Sequence, residues 1–98
     1  MIKLGIYSIR DTKADVFLPP FFVRTNGEAL RAFDDCVQNP DTNLAKHPED
    51  FHLFKIGYFD QDNGILEPCS CPESLASALD FVKQIKSSQS ASFETIKE

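Results

Sequence analysis

The sequence predicts an α+β fold: two layers, with a four-stranded, mostly antiparallel sheet carrying two helices on one face, in the order ββαββα. Three observations point there. Apolar residues alternate with period two near the start and in the middle of the chain, as half-buried strands require. Two Ser/Thr-x-x-Glu capping boxes open stretches with apolar residues at helical spacing. Asp62-Asn63-Gly64 joins two strand-like runs, the sequence signature of a hairpin. Each helix can bury only one stripe, so both are expected on the same side of the sheet.

Ile2, Leu4 and Ile6 alternate with Lys3, Gly5 and Tyr7 in the first strand. A polar turn over residues 10–15 leads to Val16-Phe-Leu and Phe21-Phe-Val23, read as one strand interrupted by Pro19-Pro20 and therefore at an edge or bent at a bulge. Thr25-x-x-Glu28 starts a helix over residues 26–38, with Ala29, Leu30, Phe33, Cys36 and Val37 on its apolar stripe. Asn39-Pro40 stops it, because the residue before proline avoids the α region. Residues 40–50 read as a polar connection ending in a turn at His47-Pro48-Glu49-Asp50, and Phe51 to Phe59 is the third strand. Ile65-Leu66-Glu67 makes a short fourth strand stopped by Pro68. Ser70-x-x-Glu73 then opens a helix over residues 72–86, with Leu75, Ala78, Leu79, Val82 and Ile85 on one stripe. Residues 1–86 form one domain on this reading, and residues 87–98 form a Ser-rich, flexible tail with Phe93 and Ile96 as its apolar residues.

At 98 residues the chain suffices for one domain and one core. With 42% hydrophobic and 26% charged residues, it has the composition of a globular protein. No apolar run approaches the ~20 residues of a membrane span, and Met1-Ile-Lys-Leu opens straight into a strand pattern. No membrane partner and a cytoplasmic location are expected. Three cysteines, with Cys69 and Cys71 flanking Ser70, suit free thiols better than a disulfide framework. Net charge is −5, unlike a surface that grips nucleic acid on all sides. Yet residues 1–33 carry five basic against three acidic groups, whereas residues 34–80 carry two against ten. One face can approach phosphate while the acidic middle suits a basic partner.

If the helices cover the face bearing Leu4, Ile6, Ile56 and Tyr58, the other shows Lys3, Gly5, Tyr7, Lys55, Gly57 and Phe59. Rings flanked by lysines on a sheet suit base stacking with phosphate neutralisation. Lys3, Tyr7, Arg10, Lys13, Arg24 and Lys55 are the candidate nucleic-acid-binding residues. The same face equally suits a protein partner, self-association as a homodimer, or internal packing. His47, His52, Cys36, Cys69 and Cys71 do not have the paired spacing of a structural zinc site, so no metal is expected. Asp60-Gln-Asp-Asn-Gly64 lacks the glutamate that closes a calcium loop, since that position is Cys71. No phosphate loop or nucleophile motif is present, so neither a cofactor nor enzymatic activity is expected.

Several strings occur together: Tyr7-Ser-Ile-Arg-Asp11, Pro20-Phe-Phe22, Arg24-Thr-Asn-Gly-Glu-Ala-Leu-Arg-Ala-Phe33, Asn39-Pro40, His47-Pro-Glu-Asp-Phe51 and Ile56-Gly-Tyr-Phe-Asp60. Over roughly residues 2–80 the chain resembles the small nonstructural protein of gokushoviruses, microvirus-type phages with single-stranded DNA genomes. The resemblance implies a protein outside the virion, in the cytoplasm of the bacterial host, acting in genome replication around the switch from duplex to single-stranded synthesis. It implies single-stranded DNA, or a phage or host replication protein, as partner. It assigns no role to an individual residue.

Overall fold

Two long antiparallel strands organise the sheet in the computed structural model, which describes residues 3–82. Strand β1 (Lys3–Asp11) lies beside a later strand, Phe51–Asp60, in register from Lys3 opposite Asp60 to Asp11 opposite Phe51. The free side of β1 takes two short strands, β2 (Val16–Phe17) and β3 (Phe21–Val23), through the pairs Arg10–Phe17 and Tyr7–Phe21. Pro19 and Pro20 have no N–H to give to a ladder, and the expected single strand is split there. The sheet therefore has five strands instead of four.

Helix α1 (Asn26–Gln38) falls where its capping box places it. Thr25 Oγ1 accepts from the Glu28 amide at 3.1 Å, and Glu28 Oε1 accepts from the Arg24 amide at 2.9 Å. The connection after Asn39 is more ordered than its polarity suggests. Thr42 caps a one-turn helix, α2 (Asn43–Lys46), and a 3-10 turn over Pro48–Asp50 delivers the chain into β4 (Phe51–Asp60). At the hairpin, Gly64 takes φ +74°, a left-handed conformation that glycine adopts without steric cost.

Beyond the hairpin the chain departs most from expectation. Strand β5 (Leu66–Ser77) does not stop at Pro68; it continues through Pro72 to Ser77. An edge strand tolerates proline because its outward N–H has no ladder partner to lose, and β5 is an edge. Pairing jumps from Gly57–Pro68 to Lys55–Glu73, so Cys69-Ser70-Cys71-Pro72 bulges opposite Ile56. The Ser70-x-x-Glu73 box is thus extended chain, and the expected helix start at 72 is corrected to 78. Helix α3 occupies residues 78–82. Its cap is Ser77: the hydroxyl accepts from the Leu79 amide and the Asp80 carboxylate accepts from the Ser77 amide, each at 3.2 Å. The remainder of the expected helix and the Ser-rich tail lie outside the described residues.

Both longer helices pack on one face, as expected, over Tyr7, Ala29, Phe33, Val37, Leu44, Phe51, Leu53 and Ala78. Phe33 of α1 meets Phe81 of α3 edge to face, with centroids 5.8 Å apart. The identity of the covered face is corrected. The helices lie over the side bearing Tyr7 and Ile9, not Leu4 and Ile6, because the Tyr7 ring lies across Gly5. A Cβ on Gly5 would sit 2.5 Å from that ring. Its hydroxyl donates to Asn26 Oδ1 at 2.6 Å, tying β1 to the first turn of α1. The bulge also breaks the alternation of β4 at Ile56. Lys55 and Tyr58 consequently share the Tyr7 side, while Phe54, Gly57 and Phe59 share the Ile6 side.

Candidate functional site

Residue pairing distributes the six candidate nucleic-acid residues over several parts of the molecule. Lys3, Tyr7 and Lys55 come together on the helix-bearing side of the sheet. Lys55 Nζ lies 4.1 Å from the centroid of the exposed Tyr58 ring and 5.9 Å from that of Tyr7, and Lys3 Nζ lies 6.0 Å from Tyr58. Tyr7 itself is fully buried and stacks on Phe21 at 5.8 Å, so it is a core residue and offers no ring to a base. Its burial pushes the phenol above its usual pKa. Hydrogen bonding with Tyr58 raises the Lys55 pKa, and Glu67, accepting from Lys3 Nζ at 3.0 Å, raises that of Lys3.

The other three residues do not join them. Arg10 points to the opposite side of the sheet, ion-paired with Asp15 and 5.2 Å from the Phe17 ring centroid. Lys13 sits in the exposed β1–β2 turn, where its amide donates to Asp11 Oδ1. Arg24 is exposed ahead of α1. No continuous basic track links the six among the described residues. Lys3 is matched by Glu67, and Lys55 stands opposite Glu73.

The side of the sheet that no helix covers among the described residues presents a different surface. Register places Leu4, Ile6, Phe17, Phe22, Phe54, Phe59, Leu66 and Pro68 there. The phenylalanines pair edge to face, Phe17 with Phe54 at 5.6 Å and Phe22 with Phe59 at 5.8 Å. Phe17, Phe22 and Leu66 remain 41%, 43% and 59% exposed, which is high for large apolar groups on one face. A groove of about 410 Å³ runs among Ile6, Pro20, Phe22, Ile56, Gly57, Leu66, Glu67 and Pro68. Gly57 is required at its floor, since a Cβ there would lie 2.6 Å from the Glu67 carbonyl oxygen. A smaller cavity, about 300 Å³, lies between α1 and the sheet at Ile9, Phe21, Ala32, Phe33 and Cys36.

Sequence reasoning missed this face for a definite reason. Phe54 and Phe59 are five residues apart and fall on one side only because the β4–β5 pairing slips around Ile56. Pro20-Phe-Phe22 was the visible signal, with one ring in the core and the next outside it. The cysteines and His52 lie on α1, β4 and β5 and do not cluster with His47. His47 instead groups with Glu49 and Asp50, their ligand atoms within 4.8 Å of one another on the exposed turn before β4. Among the described residues no helix is long and apolar enough to cross a membrane.

Together these features define a small two-layer α+β domain whose described residues cover one sheet face with helices and leave the other bare and largely apolar. Comparison with known proteins places it among phage proteins. Residues 4–81 match the phage ORF5 protein family, and the chain belongs to that family. It is 41% identical over 66 residues to Protein ORF5 of Chlamydia phage 1, a span that covers 63% of this chain and 69% of that protein. The likeness to gokushovirus proteins seen in the sequence is thereby borne out. No solved structure matches the chain.

Proposed function

We propose that this phage ORF5 protein is a non-enzymatic accessory of viral genome replication, acting in the host cytoplasm around the switch to single-stranded DNA synthesis, through protein association on its bare sheet face. The observation that carries this reading is the row of phenylalanines, with Phe17 and Phe22 exposed, and the groove beside them. Contiguous apolar surface of this kind marks protein contact sites on soluble domains. The scattered basic residues, with Lys3 and Arg10 ion-paired to Glu67 and Asp15, and the net charge of −5 favour a protein over a nucleic acid at this face.

The test is made in the phage. Phe22→Lys puts a charge on the bare face at a position the core does not use. Single-stranded genome should fall relative to duplex intermediate in infected cells while the protein accumulates normally. An unchanged ratio of the two DNA forms would remove the proposal.

One observation favours a second reading, weak contact with single-stranded DNA: the exposed Tyr58 ring has two ammonium groups within about 6 Å. Stacking on such a ring tolerates any base, and phosphate contact makes binding fall with salt. Fluorescence anisotropy with a labelled oligonucleotide should then show low-salt binding that Tyr58→Ala and Lys55→Ala weaken. Absence of binding at micromolar protein and low salt excludes it.

A further inference from the structure

We infer that the occupant of the bare sheet face is a second copy of this chain, docked face to face about a two-fold axis that runs between the sheets and across β1. This rests on the proposal above that the bare face is the working surface. The face has a knob and a hollow in line along the same strand. At the Arg10 end, Phe17 and Phe54 form an edge-to-face pair whose Phe17 ring is exposed. At the Ile6 end, the groove between Phe22 and Pro68 is about 410 Å³, room for an aromatic side chain. A two-fold axis across the strand reverses its direction in the partner, so each knob meets the other copy's groove. An isologous contact demands such self-complementarity, and one two-fold operation satisfies both sites at once.

Charge agrees with this occupant. The cation that register places on the face, Arg10, is already paired with Asp15 and stacked on Phe17. Burying the face therefore strands no unpaired charge there, which would be costly. A strongly charged partner would find little to recognise. A second neutral, aromatic face fits.

The experiment is light scattering on the full-length protein across a concentration series. The wild type should have about twice the mass of the 11.0 kDa chain. Phe17→Lys and Phe22→Lys should each be monomeric with unchanged circular dichroism. Mixing the two variants should restore part of the dimer, because one copy's intact knob then meets the other's intact groove. Mixing is the outcome that separates this geometry from general stickiness. A wild type that stays monomeric at high concentration overturns the inference, as does a dimer that persists in both variants or a mixture that remains monomeric. A monomer that dimerises only after Phe93→Lys also overturns it, by assigning the face to the chain's own C-terminal segment. If the dimer is absent while Phe22→Lys still impairs single-stranded synthesis in the phage, the self-association falls and the functional proposal stands.

Discussion

The two sides of β1 are built from similar residues but have different energetic roles. On one side Tyr7 is fully enclosed, its hydroxyl held by Asn26 and its ring held over Gly5. On the other, Ile6 sits at the floor of a groove whose rim, Phe22 and Leu66, stays open. Apolar character alone does not decide which side a helix covers. The covered side is the one where a buried polar group, the tyrosine hydroxyl, finds a partner on the covering helix, as burial requires. The bare side has rings that pair with one another and leave their outer surfaces for something else.

The sharpest way to break this contrast is through the covered side. Phe33→Ala should cost about 3–5 kcal/mol, because a buried ring against Phe81 is replaced by a cavity. A denaturant midpoint left in place by that change would remove Phe33 from the core. Gly5→Ala should cost about 1–3 kcal/mol by overpacking, since the new methyl meets the Tyr7 ring. Chemical denaturation checks it, and adding Tyr7→Leu should recover part of the loss, a result that a simple propensity effect would not give.

Tyr7→Phe probes the polar tie alone and should cost about 0.5–1.5 kcal/mol for the lost hydrogen bond. It also carries a pH signature. Burial raises the folded-state pKa of Tyr7 above its ordinary value of 10.0. That stabilisation is complete below pH 10 and is lost as pH rises through the folded pKa, because the unfolded chain releases the proton first. Stability measured from pH 9 to 12 should therefore fall less steeply in Tyr7→Phe. Lys55, whose pKa is raised in the same direction, should leave a residual slope. The smallest effect on folding belongs to the bare side. Phe22→Lys should change stability by less than about 1 kcal/mol, the scale of its pairing with Phe59. A larger loss in thermal or chemical unfolding would show that the bare face contributes to the fold after all.

Local signals in the sequence specify the structure where they act alone. Thr25, Glu28 and the stripe through Phe33 define α1 to the residue, and Asp62-Asn63-Gly64 places the hairpin. Such signals are ambiguous where two of them compete. Ser70-x-x-Glu73 and Ser77-x-x-Asp80 both suit a cap, and strand pairing of Glu73 with Lys55 chose the second. The face of β1 is not legible from alternation, since each side mixes apolar and polar residues; the covered side is marked by long-range contacts, the Tyr7 ring over Gly5 and its hydroxyl on Asn26. The candidate site suffered twice. Tyr7 moved into the core, and the phenylalanine face depends on a slip in pairing that no local pattern reports.

The prolines in the two outer regions of the sheet have a consequence for how such a protein can go wrong. One edge is cut between β2 and β3 by Pro19-Pro20, and the other holds Pro68 just before a four-residue bulge that ends at Pro72. An incoming strand would find neither a continuous row of donors nor a flat template, the two things that open-ended sheet growth needs. A protein with so many exposed aromatic rings is thereby steered away from fibrils.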